Sequence, residues 1–165
     1  MKRLIPALIF SAFVLTGCLE GSSNYTPTIA TSYFISSTGD TLSGSYNSTD
    51  GSYDMDTMYV GDTIQFAIAF NAYTNSLIYT KVGWDSTYVK LWSEVDDDFM
   101  KALTKESVFD DLLLYYVDNC SYSIFPVYFI PIKEGNSKLS FTVNSNAEKV
   151  GNTSNATLNL RVVNH

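Results

Sequence analysis

The chain has 165 residues, 45% hydrophobic and 15% aromatic, which is apolar material enough for one core of ordinary size. Ten Lys and Arg stand against 17 Asp and Glu, for a formal net charge of −7. Nucleic acid and anionic lipid headgroups both require clustered cations, so this balance argues against either as a partner.

At the start, Lys2 and Arg3 precede an apolar run from Leu4 to Leu15, which closes in Leu15-Thr16-Gly17-Cys18. The run is interrupted by Pro6 and Ser11 and is shorter than the roughly 20 residues that cross a hydrocarbon core. A basic start, a short apolar middle and small residues before a cut are the marks of a signal peptide. The closing residues resemble the lipobox of bacterial lipoproteins. That resemblance implies cleavage before Cys18, a diacylglycerol on its sulfur and a fatty acyl group such as palmitate on the new amino group. Two or three chains hold a protein firmly on a bilayer, whereas one does so only marginally. We therefore expect residues 1–17 to be a signal peptide, 18–27 a lipidated cysteine with its tether, and 28–165 a single domain. Loss of Lys2 and Arg3 leaves eight basic residues against 17 acidic ones. Leu19 stands where Asp would resemble an inner-membrane retention signal, so the outer membrane is the expected location. The periplasmic and surface sides both remain open.

Glu20 to Pro27 is polar, with Gly, Ser and Pro, and reads as a flexible tether. Beyond it the apolar period is close to two. Ile64, Phe66, Ile68 and Phe70 alternate with Gln65, Ala67 and Ala69, and the same pattern runs through Leu139 to Val143 and Leu158 to Val162. Less regular strands are expected at Ile29 to Ser36, Leu77 to Trp84, Tyr88 to Ser93 and Tyr122 to Ile132. Turn signals lie at Asp50-Gly51, Asp85-Ser86 and Glu134-Gly135-Asn136. Asp40 to Met58, rich in Ser, Thr, Gly and Tyr, reads as a projecting hairpin or a long loop. Asp96 to Tyr116 breaks the strand pattern. Asp96, Asp97 and Asp98 supply a cap and first-turn charge before Phe99, Met100 and Leu103, so a short helical crossover between sheets is expected there. The alternative is a strand at Leu112 to Val117.

Regularly spaced short strands predict an all-β sandwich. Val60-Gly61-Asp62-Thr63, Val82-Gly83-Trp84, Glu134-Gly135 leading into Leu139 to Val143, and the terminal Ala156 to Val163 resemble bacterial Ig-like domains, which are often found on lipoproteins of Bacteroidetes. The resemblance spans about Tyr59 to Asn164 and implies an Ig-like β-sandwich. It departs from antibody domains in lacking their inter-sheet disulfide and tyrosine corner.

No zinc motif, Walker loop, dinucleotide fingerprint or nucleophile elbow occurs, and His165 is the lone histidine. No catalytic residue, cofactor or metal site is therefore assigned, and the chain is read as a non-enzyme. Asp50, Asp54 and Asp56, then Glu94 with Asp96 to Asp98, then Asp110 and Asp111 read as a loop, a helix cap and a solvated helix face. With Cys18 committed to lipid, Cys120 has no disulfide partner and reads as a small buried hydrophobe. Asn47, Asn119, Asn152 and Asn155 lie in Asn-x-Ser/Thr sequons, and Thr41, Thr57 and Thr63 in Asp-Thr-aliphatic triplets that resemble Bacteroidetes O-glycosylation sites.

Twelve Tyr, ten Phe and two Trp are the compositional excess. If Asp85-Ser86 is a two-residue hairpin turn, Trp84 faces Thr87 and Val82 faces Val89 on the buried side. Gly83 then faces Tyr88, Lys81 faces Lys90 and Tyr79 faces Trp92 on the other. That register predicts a candidate ligand platform of Tyr79, Tyr88 and Trp92. A helical crossover lying over these rings is the competing expectation. The function expected is a lipid-anchored binding or assembly module of the cell envelope. Its partner would be the membrane through the anchor, with an envelope protein or a glycan as ligand. A carbohydrate-binding or glycan-active lipoprotein is the alternative.

Overall fold

In the computed structural model the described residues are 25–94, 104–108, 112–148 and 150–164. The predicted signal peptide, Cys18 and most of the tether lie outside them, as do Asp96 to Asp98, Asp110 and Asp111. Fourteen strands are present among the described residues: β1 (Thr28–Thr31), β2 (Phe34–Ser36), β3 (Thr41–Leu42), β4 (Gly44–Asn47), β5 (Ser52–Met55), β6 (Met58–Tyr59), β7 (Ile64–Asn71), β8 (Leu77–Trp84), β9 (Val89–Trp92), β10 (Thr104–Val108), β11 (Leu113–Tyr116), β12 (Tyr122–Pro131), β13 (Gly135–Ser145) and β14 (Thr153–Val163). They form two sheets. The six-stranded sheet runs β3-β2-β7-β12-β9 with β1 also on β7, and the eight-stranded sheet runs β10-β11-β8-β13-β14-β5-β4 with β6 on β14.

The period-two segments form the central strands because one face of each can be buried. Ile64, Phe66, Ile68 and Phe70 on β7 meet Leu139, Phe141 and Val143 on β13 in one apolar cluster. Phe66 joins the layers, with ring centroids 4.4 Å from Phe34, 6.3 Å from Phe129 and 5.9 Å from Phe141. These contacts make the molecule an all-β sandwich. Pro126 lies within β12, opposite Ala67 of β7. The β9 ladder reaches only as far as Tyr128, so the missing amide of proline costs no ladder bond on that side.

Three expectations are corrected. The helical crossover is absent from the described part of Asp96 to Tyr116, where β10 and β11 form an antiparallel ladder with Thr104 opposite Tyr116. The strand alternative for Leu112 to Val117 is the one observed. β8 has an edge that β13 leaves open, and Leu113, Leu114 and Tyr115 complete it opposite Lys81, Thr80 and Tyr79. Tertiary pairing there overrides local helix signals.

Second, Asp85-Ser86 is no hairpin turn. The Asp85 carbonyl accepts from the amides of Tyr88 and Val89, both at 3.0 Å, and its carboxylate accepts from the Thr87 amide at 2.8 Å. This helix-like corner turns the chain out of the β8 plane and delivers β9 to the other sheet. Third, Ile29 to Ser36 is two strands, broken where Ser32 exchanges bonds with Ala67 through its amide and its hydroxyl. Asp40 to Met58 takes the hairpin form at β4 and β5, with Gly51 in the left-handed region at φ 73°.

Candidate functional site

The platform of Tyr79, Tyr88 and Trp92 is dispersed by the change of sheet at Asp85. Tyr79 stays in the eight-stranded sheet beside Tyr115, with ring centroids 6.0 Å apart. Trp92 lies in the six-stranded sheet opposite Tyr128. Tyr88, at the corner, packs on Gly135, where an added Cβ would stand 3.0 Å from its ring, and holds the Lys133 ammonium 5.0 Å from its centroid. Gly83, expected beside Tyr88, instead faces Ser140.

A different aromatic surface exists. On β12 the inward residues Ser123, Phe125, Val127, Phe129 and Pro131 are buried, so Tyr122, Ile124, Pro126, Tyr128 and Ile130 point out. Every one of these outward residues is apolar or aromatic. Ala69 and Ala67 of β7 lie opposite Ile124 and Pro126, and Trp92 of β9 lies opposite Tyr128. The Trp92 and Tyr128 rings stack at 5.6 Å and 15°. Trp92 donates its indole N–H to Glu94 at 3.2 Å and lies 6.0 Å from the Lys90 ammonium. Ile124 is 47% exposed, on a sheet face that in an antiparallel sandwich is ordinarily polar. The sequence signal was available in the apolar residues on both phases of Tyr122 to Ile132, a strand apolar on both faces.

The opposite sheet presents a polar surface. An open groove of about 720 Å³ is lined by Asp54, Asp56, Asn136, Lys138, Asn159 and Arg161 among others. Lys138 and Asp54 flank Asn159 on neighbouring strands, while Asn136 faces Arg161. Asn159 donates through Nδ2 to Asp54 Oδ1 and Ser52 Oγ, both at 2.7 Å, and its Oδ1 is buried without a partner.

The first acidic group does not converge. Asp50 accepts from the Ser52 hydroxyl and amide, Asp54 from Asn47 and Asn159, and Asp56 from the Ser43 amide at 2.8 Å. The bonds from the Ser52 side chain and backbone hold the Asp50 carboxyl below its ordinary value of 3.8. Among the described residues no three of His, Cys, Asp and Glu are grouped closely enough to hold a metal ion. Cys120 is a buried free thiol that donates to the Tyr122 carbonyl at 3.4 Å, and burial pushes its pKa up.

No family model matches the chain, and no curated protein matches it. Among solved structures it is similar to a family 123 glycoside hydrolase from Clostridium perfringens, at 9% identity and a TM-score of 0.45 over 85% of this chain. The chain spans only 28% of that enzyme. It is also similar to a PapD-like domain of human CEP192, at 10% identity and a TM-score of 0.36 over 75% of this chain and 86% of that one. Likenesses this distant bear on neither activity nor partner.

Proposed function

We propose that the chain is a lipid-anchored, non-catalytic binding or assembly module of the cell envelope, built on an Ig-like sandwich and held in the outer membrane through Cys18. The observation that carries the binding role is the apolar outer face of β12, where Tyr122, Ile124, Pro126, Tyr128 and Ile130 run beside Ala67, Ala69 and Trp92. Ile124, Pro126 and the two alanines offer no side-chain hydrogen bonds, which suits the apolar core of a protein interface better than a hydroxyl-rich sugar. The occupant is thus an envelope protein with a complementary apolar surface.

Two measurements test this reading. Cys18→Ser should move the protein from the membrane fraction to the soluble fraction, and membrane retention of that variant rejects the anchor. A photocrosslinking residue at position 124 should give one discrete protein adduct in intact cells, lost on Trp92→Ala, while the same residue at position 138 gives none. Absence of an adduct at 124 rejects the docking face.

A second reading is favoured by one observation. The groove offers donors and acceptors together on Asp54, Asn136, Lys138 and Arg161, which fits a hydroxyl-bearing ligand, so the polar groove is the place for a glycan. Glycan-array binding that Asn159→Ala abolishes would transfer the function to that sheet.

A further inference from the structure

The two ends of the sandwich differ in charge and in the grouping of their exposed tyrosines, with three at one end and Tyr59 at the other. At one end the loops are tied together by backbone bonds: Ala72 donates to Ser121, Leu77 to Cys120 and Asn146 to Ser76, while the Asn75 side chain donates to the Tyr25 carbonyl. The far end gathers the turns at Asp40, Asp62, Asp85 and Glu134 through the bonds Ser37 to Thr63, Gly61 to Pro131 and Ile132 to Tyr88, with Asn164 donating to Glu134.

Tyr25, where the chain enters the described structure, lies at the first end. Its ring sits 5.1 Å from that of Tyr73. Tyr122 begins β12 opposite Asn71, two residues before Tyr73. The three rings are 60%, 41% and 49% exposed respectively. The far end presents four carboxylates against Lys133, whereas here Asp118 lies 3.6 Å from Lys105.

Tyr73 also carries backbone strain. It is a non-glycine residue at φ 60°, a conformation that Asn or Gly adopts more readily than a bulky aromatic. An exposed tyrosine at such a position offsets the strain only in part, through its contact with the Tyr25 ring, and strain of this kind collects at functional surfaces. Tyrosine is the residue whose apolar ring and polar hydroxyl suit the headgroup layer of a bilayer.

The chain length fixes what lies nearby. Six residues separate Cys18 from Tyr25, and the seven steps between them, fully extended, span no more than about 25 Å. We propose that the tip formed by Tyr25, Tyr73 and Tyr122 docks on the interface of the bilayer that holds the anchor, and so orients the domain with its acidic end outward. This rests on lipidation of Cys18. The β12 face then stands upright from the membrane, open to a partner from the side.

The test uses the full mature chain from Cys18 to His165 with Cys120→Ala, coupled through the Cys18 thiol to maleimide lipid in phosphatidylcholine–phosphatidylethanolamine vesicles. An added indole at Tyr73→Trp is compared with one at Ile132→Trp, at the acidic end. Brominated acyl chains should quench the added emission at 73 at least twofold and leave that at 132 unchanged. Tyr25→Ser with Tyr122→Ser should remove most of the quenching at 73 without lowering the thermal midpoint, an outcome that a merely structural role does not produce. Equal quenching at both ends, or none at 73, overturns the docking. So does protection at 73 with a dimer mass, which makes a second copy the occupant. The mass of the native protein extracted from membranes reads the anchor separately. A mass without lipid overturns the anchor and with it docking in the cell, whereas a missing quenching contrast overturns the docking alone.

Discussion

Trp92 and Tyr128 are direct cross-strand neighbours whose rings stack at 5.6 Å on the outer face of the six-stranded sheet. One residue further along β12, Phe129 points into the core and is fully buried. The two faces of this strand should therefore answer differently to truncation. Trp92→Ala should cost about 1–2 kcal/mol, the loss of one partly buried aromatic pair. Phe129→Ala should cost about 3–5 kcal/mol, since it leaves a cavity between the sheets. Urea unfolding of the two variants checks the contrast, and equal costs would show that the Trp92 face is covered.

Gly135 stands at φ 129° with the Tyr88 ring where a Cβ would need room. Gly135→Ala should then destabilise by about 1–3 kcal/mol, through backbone strain and displacement of the ring. In a Tyr88→Ala background the added cost of Gly135→Ala should be smaller, because the clash is gone and only the strain remains. A thermal midpoint unchanged by Gly135→Ala contradicts this geometry.

Cys120 is expected to be unreactive in the folded protein. Burial raises its pKa, so the thiolate that attacks disulfide reagents is scarce near neutral pH. Folded protein should react with a thiol reagent at least tenfold more slowly than protein in urea. Cys120→Ala should cost about 1 kcal/mol and leave partner binding unchanged. Rapid labelling of the native thiol would point to a functional role.

The Asp50 carboxyl lies below its ordinary value of 3.8 because the Ser52 hydroxyl and amide donate to its charged form. A carboxylate depressed on folding contributes stability above its unfolded pKa and loses it as pH falls through the folded one. Amide exchange at Ser52 should accordingly rise as acid protonates Asp50, below the normal carboxyl range. Asp50→Asn should flatten that response, and a Ser52 amide insensitive to pH in both forms speaks against the bond.

The sequence by itself determined the strands that bury one face. Ile64 to Phe70, Leu139 to Val143 and Leu158 to Val162 alternate because water lies on one side of each and the core on the other, and that period is written locally. It also marked the Asp50-Gly51 turn, where glycine meets a positive φ. Only the tertiary structure decided which sheet each strand joins. Nothing near Asp85 shows that β13 already occupies the edge of β8 and that β9 must cross to β12, since those partners lie some 40 or more residues away in the chain. The same nonlocal demand made strands of Thr104 to Val108 and Leu113 to Tyr116, which carry helix signals next to them but complete the free edge of β8. The predicted platform failed because it assumed a local hairpin, and the apolar face of β12 emerged because only pairing with β7 and β9 brings its residues beside Ala67, Ala69 and Trp92.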